Sequence, residues 1–154
     1  MEPVSVFRDE YEISTDAKRL DPLLVHDFLT HHSYWAGGVP LEVVKRSIEH
    51  SLCFGVFHRG GQVGFARVVT DYSTFAYLAD VFILEGHRGR GLADWLVRTV
   101  LGHPGLAGLR LILLGTRDAH GLYERSGFVR IADTPLADRF MVIHNPKAYE
   151  KKGR

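Results

Sequence analysis

The sequence predicts a mixed α/β domain whose sheet carries helices on both faces. Its first two helical stretches repeat apolar residues with a period near 3.6, and three β-rich runs follow them between Leu52 and Leu84. A strand–helix–strand order then runs from Phe75 to Leu114. With 154 residues the chain has the length of one domain, and the expectation is one domain over 1–154 with its core near 10–145.

The first eight residues read as a loose arm or the lead-in to a strand, and Tyr11–Ser14 alternates as a short strand would. Asp21-Pro22 is a helix start, an N-cap followed by proline at the first helical position. Leu24, Phe28 and His31 keep helical spacing behind it, and Val25 and Leu29 widen the face. Residues 31–38, His-His-Ser-Tyr-Trp-Ala-Gly-Gly, break the period and make a loop. Pro40 opens a second helix with Leu41, Val44 and Ile48 on one side.

From Leu52 the period changes. Leu52–His58 is aromatic and branched, and Gly60-Gly61 follows as a turn. Val63, Phe65 and Val69 alternate with Gly64, Ala66 and Val68, small or apolar groups on both faces, which predicts a strand covered on both sides. Phe75–Leu84 completes an antiparallel meander. A helix returns after Gly91, with Leu92, Leu96 and Val100 in line, and Gly102 and Pro104 stop it. Leu109–Leu114 is apolar and too short for a typical helix, so it is read as a buried strand. A short helix near His120–Ser126 should end at Gly127 in the left-handed conformation. Phe128–Ile131 and Arg139–Ile143 are expected as the last strands, and the tail from Pro146 is expected to fray.

Composition limits the partners. Nineteen basic and eighteen acidic residues leave a formal charge of +1, which gives no electrostatic case for nucleic acid or an anionic membrane. No stretch has the apolar length of a membrane span, and the N-terminus lacks a signal-peptide core, so the cytosol is the expected compartment. Cys53, the single cysteine, lies in the apolar run Leu52-Cys53-Phe54 and reads as an inert buried thiol. His31-His32 has no accompanying ligands at metal-site spacing, so no metal is expected.

The chemistry concentrates between strand and helix, at Glu85-Gly86-His87-Arg88-Gly89-Arg90-Gly91-Leu92-Ala93. Gly89 and Gly91 let the backbone approach a ligand. The first-turn amides of the following helix lack intrahelical acceptors and suit a diphosphate. Arg88 and Arg90 can add charge-assisted hydrogen bonds, and the small Ala93 keeps the helix start clear. A glycine-rich turn alone is weak evidence, since any strand-to-helix turn with exposed arginines looks similar. The dinucleotide fingerprint fits poorly because position 94 is Asp, and no Gly-Lys-Ser/Thr follows to make a P-loop.

Arg88-Gly89-Arg90-Gly91-Leu92-Ala93 resembles the Arg/Gln-x-x-Gly-x-Gly/Ala signature of the GNAT superfamily of N-acetyltransferases. Tyr123-Glu124-Arg125-Ser126-Gly127-Phe128 is similar to that family's Tyr-x-x-x-Gly-Phe element. The two motifs stand about thirty residues apart with a strand between them. The resemblance implies an acyl-CoA N-acyltransferase fold, with a central mixed sheet of roughly seven strands between helices. It implies that acetyl-CoA lies along Asp80–Leu84, with Phe82 and Ile83 meeting the acyl-pantetheine arm. Arg88, Gly89, Arg90, Gly91, Leu92 and Ala93 would clasp the pyrophosphate, with Asp118, His120 and Tyr123 also touching the cofactor.

Two positions depart from the family pattern. Asp118 stands where Asn is frequent, and Glu85 stands where Pro is common after the fourth strand. The carboxylate at 118 bears on how the pantetheine or substrate end is held.

Carried over from the family, the N–H near Ile83 binds the thioester oxygen and Tyr123 is the general acid toward the sulfur. Without the resemblance Tyr123 would read as a half-buried helix aromatic. Asp80 is the leading candidate for the base, with Glu85, Asp118 and His120 behind it, and an amine arriving neutral would need none. The loop residues His32, Tyr34 and Trp35 are expected at the acceptor wall, although Tyr34 and Trp35 would equally serve to close the core edge. The expected activity is acetyl transfer from acetyl-CoA to a primary amine of a small molecule, peptide or protein. The alternative is a non-catalytic acyl-CoA-binding or sensing module of the same fold. A ligand-free scaffold is a third class, and a homodimer is compatible with each.

Overall fold

The computed structural model describes residues 1–150, and Lys151–Arg154 of the expected frayed tail lie outside the described residues. One sheet of six strands runs in chain order, β1 (Ser5–Arg8), β2 (Tyr11–Ser14), β3 (Leu52–His58), β4 (Gly61–Thr70), β5 (Phe75–Ile83) and β6 (Leu111–Leu114). The first five are antiparallel to their neighbours, and β6 pairs parallel to β5. Helices α1 (Pro22–His32) and α2 (Leu41–Glu49) precede β3, α3 (Leu92–Leu101) joins β5 to β6, and α4 (His120–Glu124) follows β6.

Local chemistry sets the helix ends. The Asp21 carboxylate accepts from the amides of Leu23 and Leu24 with Pro22 in the first turn, as the sequence predicts. Pro40 is the N-cap of α2, and the helix itself begins at Leu41. Gly127, at φ +100°, follows α4, and the Phe128 amide returns to the Tyr123 carbonyl at 3.2 Å.

Two apolar cores cover the sheet. Val25, Phe28 and Leu29 of α1 and Val44 of α2 pack with Cys53, Phe57, Phe65 and Phe82 on one face. Leu92, Leu96 and Val100 of α3 pack with Ile13, Phe54, Val56, Ala66, Val68 and Leu78 on the other. β4 is therefore covered on both sides along its middle, where Val63, Phe65, Ala66 and Val68 are buried. Each such fully buried aliphatic or aromatic side chain stabilises by about 1.5–3 kcal/mol.

The sheet departs from expectation at both ends. The arm before Tyr11 contains β1, whose residues pair with β2 from Ser5↔Ser14 to Arg8↔Tyr11. At the other end the sheet has six strands rather than seven. Phe128–Ile131 and Arg139–Ile143 form no strand, and the first leads into a single 3-10 turn at Ile131–Asp133. Most of their apolar residues face solvent: Val129 is 70% exposed and Met141 99%. Strand-forming composition makes a strand only where a neighbour takes up its backbone groups.

Candidate active site

Strand β5 is longer than its parallel partner, and that mismatch opens the site. β6 pairs with β5 only from Phe75↔Leu111 to Leu78↔Leu114, so Ala79–Ile83 run on without a neighbour on that side. A register shift adds one residue to β5, since Phe65 faces Phe82 while Arg67 faces Ala79. Asp80 sits in this bulge at φ +56°, a left-handed conformation that Asp tolerates better than most residues.

The direction of the strand's polar groups follows from its pairing. The Leu84 amide donates to the Val63 carbonyl at 2.8 Å, so Leu84 points its main chain toward β4. Main-chain groups alternate along a strand, and Ile83 therefore aims its N–H and C=O the other way, into the gap. The Arg88 Nε–H closes on the Ile83 carbonyl at 3.0 Å, which leaves the Ile83 N–H as the donor facing the opening.

The gap is part of a cavity of about 660 Å³. Its floor includes Asp80, Val81, Phe82 and Ile83, and Arg88, Gly89, Gly91, Leu92 and Ala93 line it at the start of α3. Gly89 and Gly91 adopt φ +79° and +74°. A side chain at Gly89 would meet nothing within 4 Å, so its glycine answers to backbone conformation and to what approaches from outside. No side chain caps the N-terminus of α3, in contrast to α1 with Asp21. The first-turn amides of α3 are thus available to an anion, as the sequence predicts.

The far wall comes from the segment after β6 and from α4. Thr116, Arg117, Asp118, Ala119, Leu122 and Tyr123 line it. Tyr123 packs edge-on against Phe128 with centroids 5.9 Å apart. Burial first, and then the neighbouring Tyr34, push its phenol up to about 12. It therefore stays protonated as a donor throughout the neutral and mildly alkaline range. His32, Tyr34 and Trp35, the loop residues expected to meet an acceptor, also line the cavity.

That loop is fastened at two points. The Trp35 Nε1–H donates to Asp80 Oδ1 at 2.8 Å. Across the opening the Arg117 amide donates to the Tyr34 hydroxyl oxygen at 2.6 Å, and the Arg117 guanidinium lies 3.9 Å over the Tyr34 ring. The second Asp80 oxygen accepts from Arg67 Nε at 2.8 Å in a mostly buried ion pair, and Arg67 also donates to Ser51 Oγ at 3.2 Å. Asp80 lines the cavity, and both its oxygens already hold other groups in place.

Two expected cofactor residues do not line the cavity. Arg90 lies between the two left-handed glycines, and its carbonyl accepts from Arg8 at 3.3 Å. His120 opens α4, off the stripe that Ala119, Leu122 and Tyr123 present at helical spacing. Other residues at the site escaped the sequence reading. Phe28 stacks on Phe82 with centroids 4.0 Å apart and lines the cavity. His87, also in the lining, lies 2.8 Å from the Tyr11 hydroxyl through its Nδ1. Burial, then the charges of His58 and Arg90, hold His87 below the usual histidine range. Arg67 and Arg117 had no motif to mark them, since their partners are distant in sequence. Among the described residues no three His, Cys, Asp or Glu side chains converge as a metal site requires.

A strand edge opened by a bulge, a double-glycine turn and an uncapped helix together border one cleft across the sheet. The comparisons with known proteins name the family. The acetyltransferase (GNAT) domain model matches residues 49–130. A crystal structure from Xanthomonas campestris pv. campestris, assigned as an acetyltransferase of the GNAT family, is 46% identical, covers 94% of this chain and 100% of its own, and superposes with a TM-score of 0.88. A protein of Gibberella zeae, also assigned as an acetyltransferase, is 29% identical over 146 residues, covering 80% of this chain and 81% of its own. A GNAT family acetyltransferase from Elizabethkingia anophelis, solved with acetyl-CoA bound, shares the fold at a TM-score of 0.59 with 15% identity, over 79% of this chain and 78% of its own. The chain belongs to the GNAT family of acetyltransferases.

Proposed function

We propose that the chain transfers the acetyl group of acetyl-CoA to a primary amine of a small molecule or peptide by direct attack. The observation that carries this reading is the presence of the unpartnered Ile83 N–H and the protonated Tyr123 in the lining of one cavity. When bound, the cosubstrate supplies an activated thioester. The Ile83 N–H donates to the carbonyl oxygen as negative charge develops there, the task of an oxyanion hole. The open amides of α3, with Arg88 beside them, hold the pyrophosphate. As the new N–C bond forms and the C–S bond breaks, the Tyr123 hydroxyl donates its proton to the departing sulfur. The nitrogen loses one proton toward water or Asp80, so charge and protons balance.

Tyr34 and Trp35 border the acceptor, and Asp80 holds Trp35 in place. The aromatic faces of this wall, with Arg117 and Asp80 at their edges, favour a small or peptide amine carrying an apolar group next to the nitrogen.

The test is Tyr123→Phe assayed with acetyl-CoA and a panel of primary amines. The expected result is a fall in kcat of about a hundredfold or more, with acetyl-CoA affinity by calorimetry within about threefold of the parent. An unchanged kcat, where chemistry limits turnover, removes Tyr123 as the acid. Tight acetyl-CoA binding with no transfer to any amine would instead favour a non-catalytic binding module.

A further inference from the structure

A second cavity, of about 210 Å³, lies between the β1–β2 hairpin and the C-terminal end of α3. Val4, Val6, Ile13 and Phe54 give it apolar walls, and no charged side chain lines it. It shares no lining residue with the cavity that borders the glycine turn. That turn stands at the start of α3, whereas this opening reaches Thr99 and Gly102 at the other end.

The lining holds one buried donor with nothing to donate to. His103 is 3% exposed, and its Nδ1 accepts the Gly105 amide at 3.0 Å. Burial holds the ring below the usual histidine range, which keeps it neutral. A neutral imidazole that accepts at Nδ1 carries its proton on Nε2. Nε2 is the one buried side-chain nitrogen or oxygen without a partner among the described residues. The two hydroxyls of the lining are already engaged. Thr15 Oγ1 accepts the Val4 amide at 2.8 Å, and the Thr99 hydroxyl donates to the Trp95 carbonyl at 2.8 Å. The His103 ring meets Phe54 edge-on with centroids 5.7 Å apart, and an aromatic face is a poor substitute for an oxygen acceptor. Native proteins rarely leave such a donor unmade.

We infer that this cavity is a binding site for a small neutral carbonyl compound, its oxygen on the His103 Nε2–H and its body against the apolar walls. Charge is excluded because an ion here would be desolvated with no counter-charge to meet it. A carbonyl fits the free donor because it accepts a hydrogen bond and brings no donor of its own. Size follows from the volume: a cavity of about 150 Å³ holds benzene, so this one takes a body of about seven to nine non-hydrogen atoms. Water is the weaker occupant, since it seeks two to four polar partners and the walls are mostly apolar. The site lies apart from the acetyl-transfer cavity, and the inference does not rest on that reading.

The experiment titrates the full chain with cyclohexanone and follows its backbone amides by NMR. Saturable shifts in the millimolar range are expected at Val6, Thr99 and Gly105, with Gly89 and Gly91 unmoved. Methylenecyclohexane has the same shape without the oxygen, and it should bind at least about fivefold more weakly. His103→Asn keeps a side-chain acceptor for the Gly105 amide and removes the Nε2–H. In that variant the preference for the ketone should vanish. Val6→Phe, a change at a half-buried position of β1, should fill the opening and abolish uptake. No saturable shift at these amides would overturn the inference, as would equal affinity of the parent for the ketone and the alkene. Shifts confined to Gly89 and Gly91, or a ketone preference that survives His103→Asn, would overturn it too.

Discussion

Replacing Asp80 by Asn separates two roles that the geometry brings to one carboxylate. Asn accepts the φ of +56° as readily as Asp does, so the bulge survives. Its carbonyl can still receive the Trp35 indole N–H, now 2.8 Å from Oδ1. What is lost is the acceptor 2.8 Å from Arg67 Nε, replaced by an amide that turns N–H groups toward a guanidinium. The pair is mostly buried, with side chains 18% and 10% exposed. A charge-assisted hydrogen bond in such a place contributes about 1.5–3 kcal/mol. Arg67 keeps its bond to Ser51, so the estimate for Asp80→Asn is about 2 kcal/mol. For a domain of this size that lowers Tm by about 4–8 °C. Scanning calorimetry measures it, and a cycle with Arg67→Gln should show coupling of about 1 kcal/mol or more. Kinetics then decide the catalytic role. If Asp80 only positions Trp35, KM for the amine rises, kcat at saturation holds within a few-fold, and the acidic limb of the pH profile keeps its shape. If it is the base, kcat falls by about a hundredfold or more and that limb flattens. A Tm within about 2 °C of the parent together with zero coupling would refute the clamp.

Gly91→Glu should abolish acetyl-CoA binding in calorimetry, because φ +74° is costly for any side chain and a carboxylate would stand at the uncapped helix end; unchanged affinity would sink the pyrophosphate assignment. Gly64→Ala should cost about 1–3 kcal/mol in urea unfolding, since its Cβ would lie 2.7 Å from Ile83 Cδ1 and 3.0 Å from the Phe82 carbonyl. It should also lower kcat by shifting Ile83. Cys53, whose thiol burial pushes up to about 12, should resist iodoacetamide at pH 8 in the folded protein and react on unfolding. Modification at the parent thiol's free rate would contradict its burial. Across the same alkaline range Tyr123 should remain protonated. Because its pKa is raised on folding, the stability tied to that shift is fully present below the free phenol's pKa, near 10, and is lost as pH rises through about 12. A tyrosinate absorbance titration compared with Tyr123→Phe checks it.

Local chemistry wrote much of this protein into its sequence. Asp21-Pro22, the 3.6-residue period of α3 and the Gly127 stop each act through neighbours a few residues away, and each stands in the structure where the sequence places it. The turn through Gly89 and Gly91 was legible for the same reason, since left-handed conformation and open helix amides are local properties. The expected strands at Phe128–Ile131 and Arg139–Ile143 failed because a strand is defined by its neighbour, and apolar alternation says nothing of whether one is present.

The site divides along the same line. Tyr123 and Ile83 could be named from motifs. Arg67 and Arg117 could not, because the first matters through Asp80 on the next strand and the second through Tyr34, eighty-three residues away. The sequence by itself determined the helices, the meander and the glycine turn before α3, whose energetics are settled within a few residues. Only the tertiary structure decided that β6 stops at Leu114 while β5 runs on to Ile83, that Asp80 is occupied by two donors, and that the loop carrying Tyr34 and Trp35 is tied across the cavity. Those facts depend on which chain segments meet, and hydrogen bonds between distant residues leave no spacing in the sequence to read.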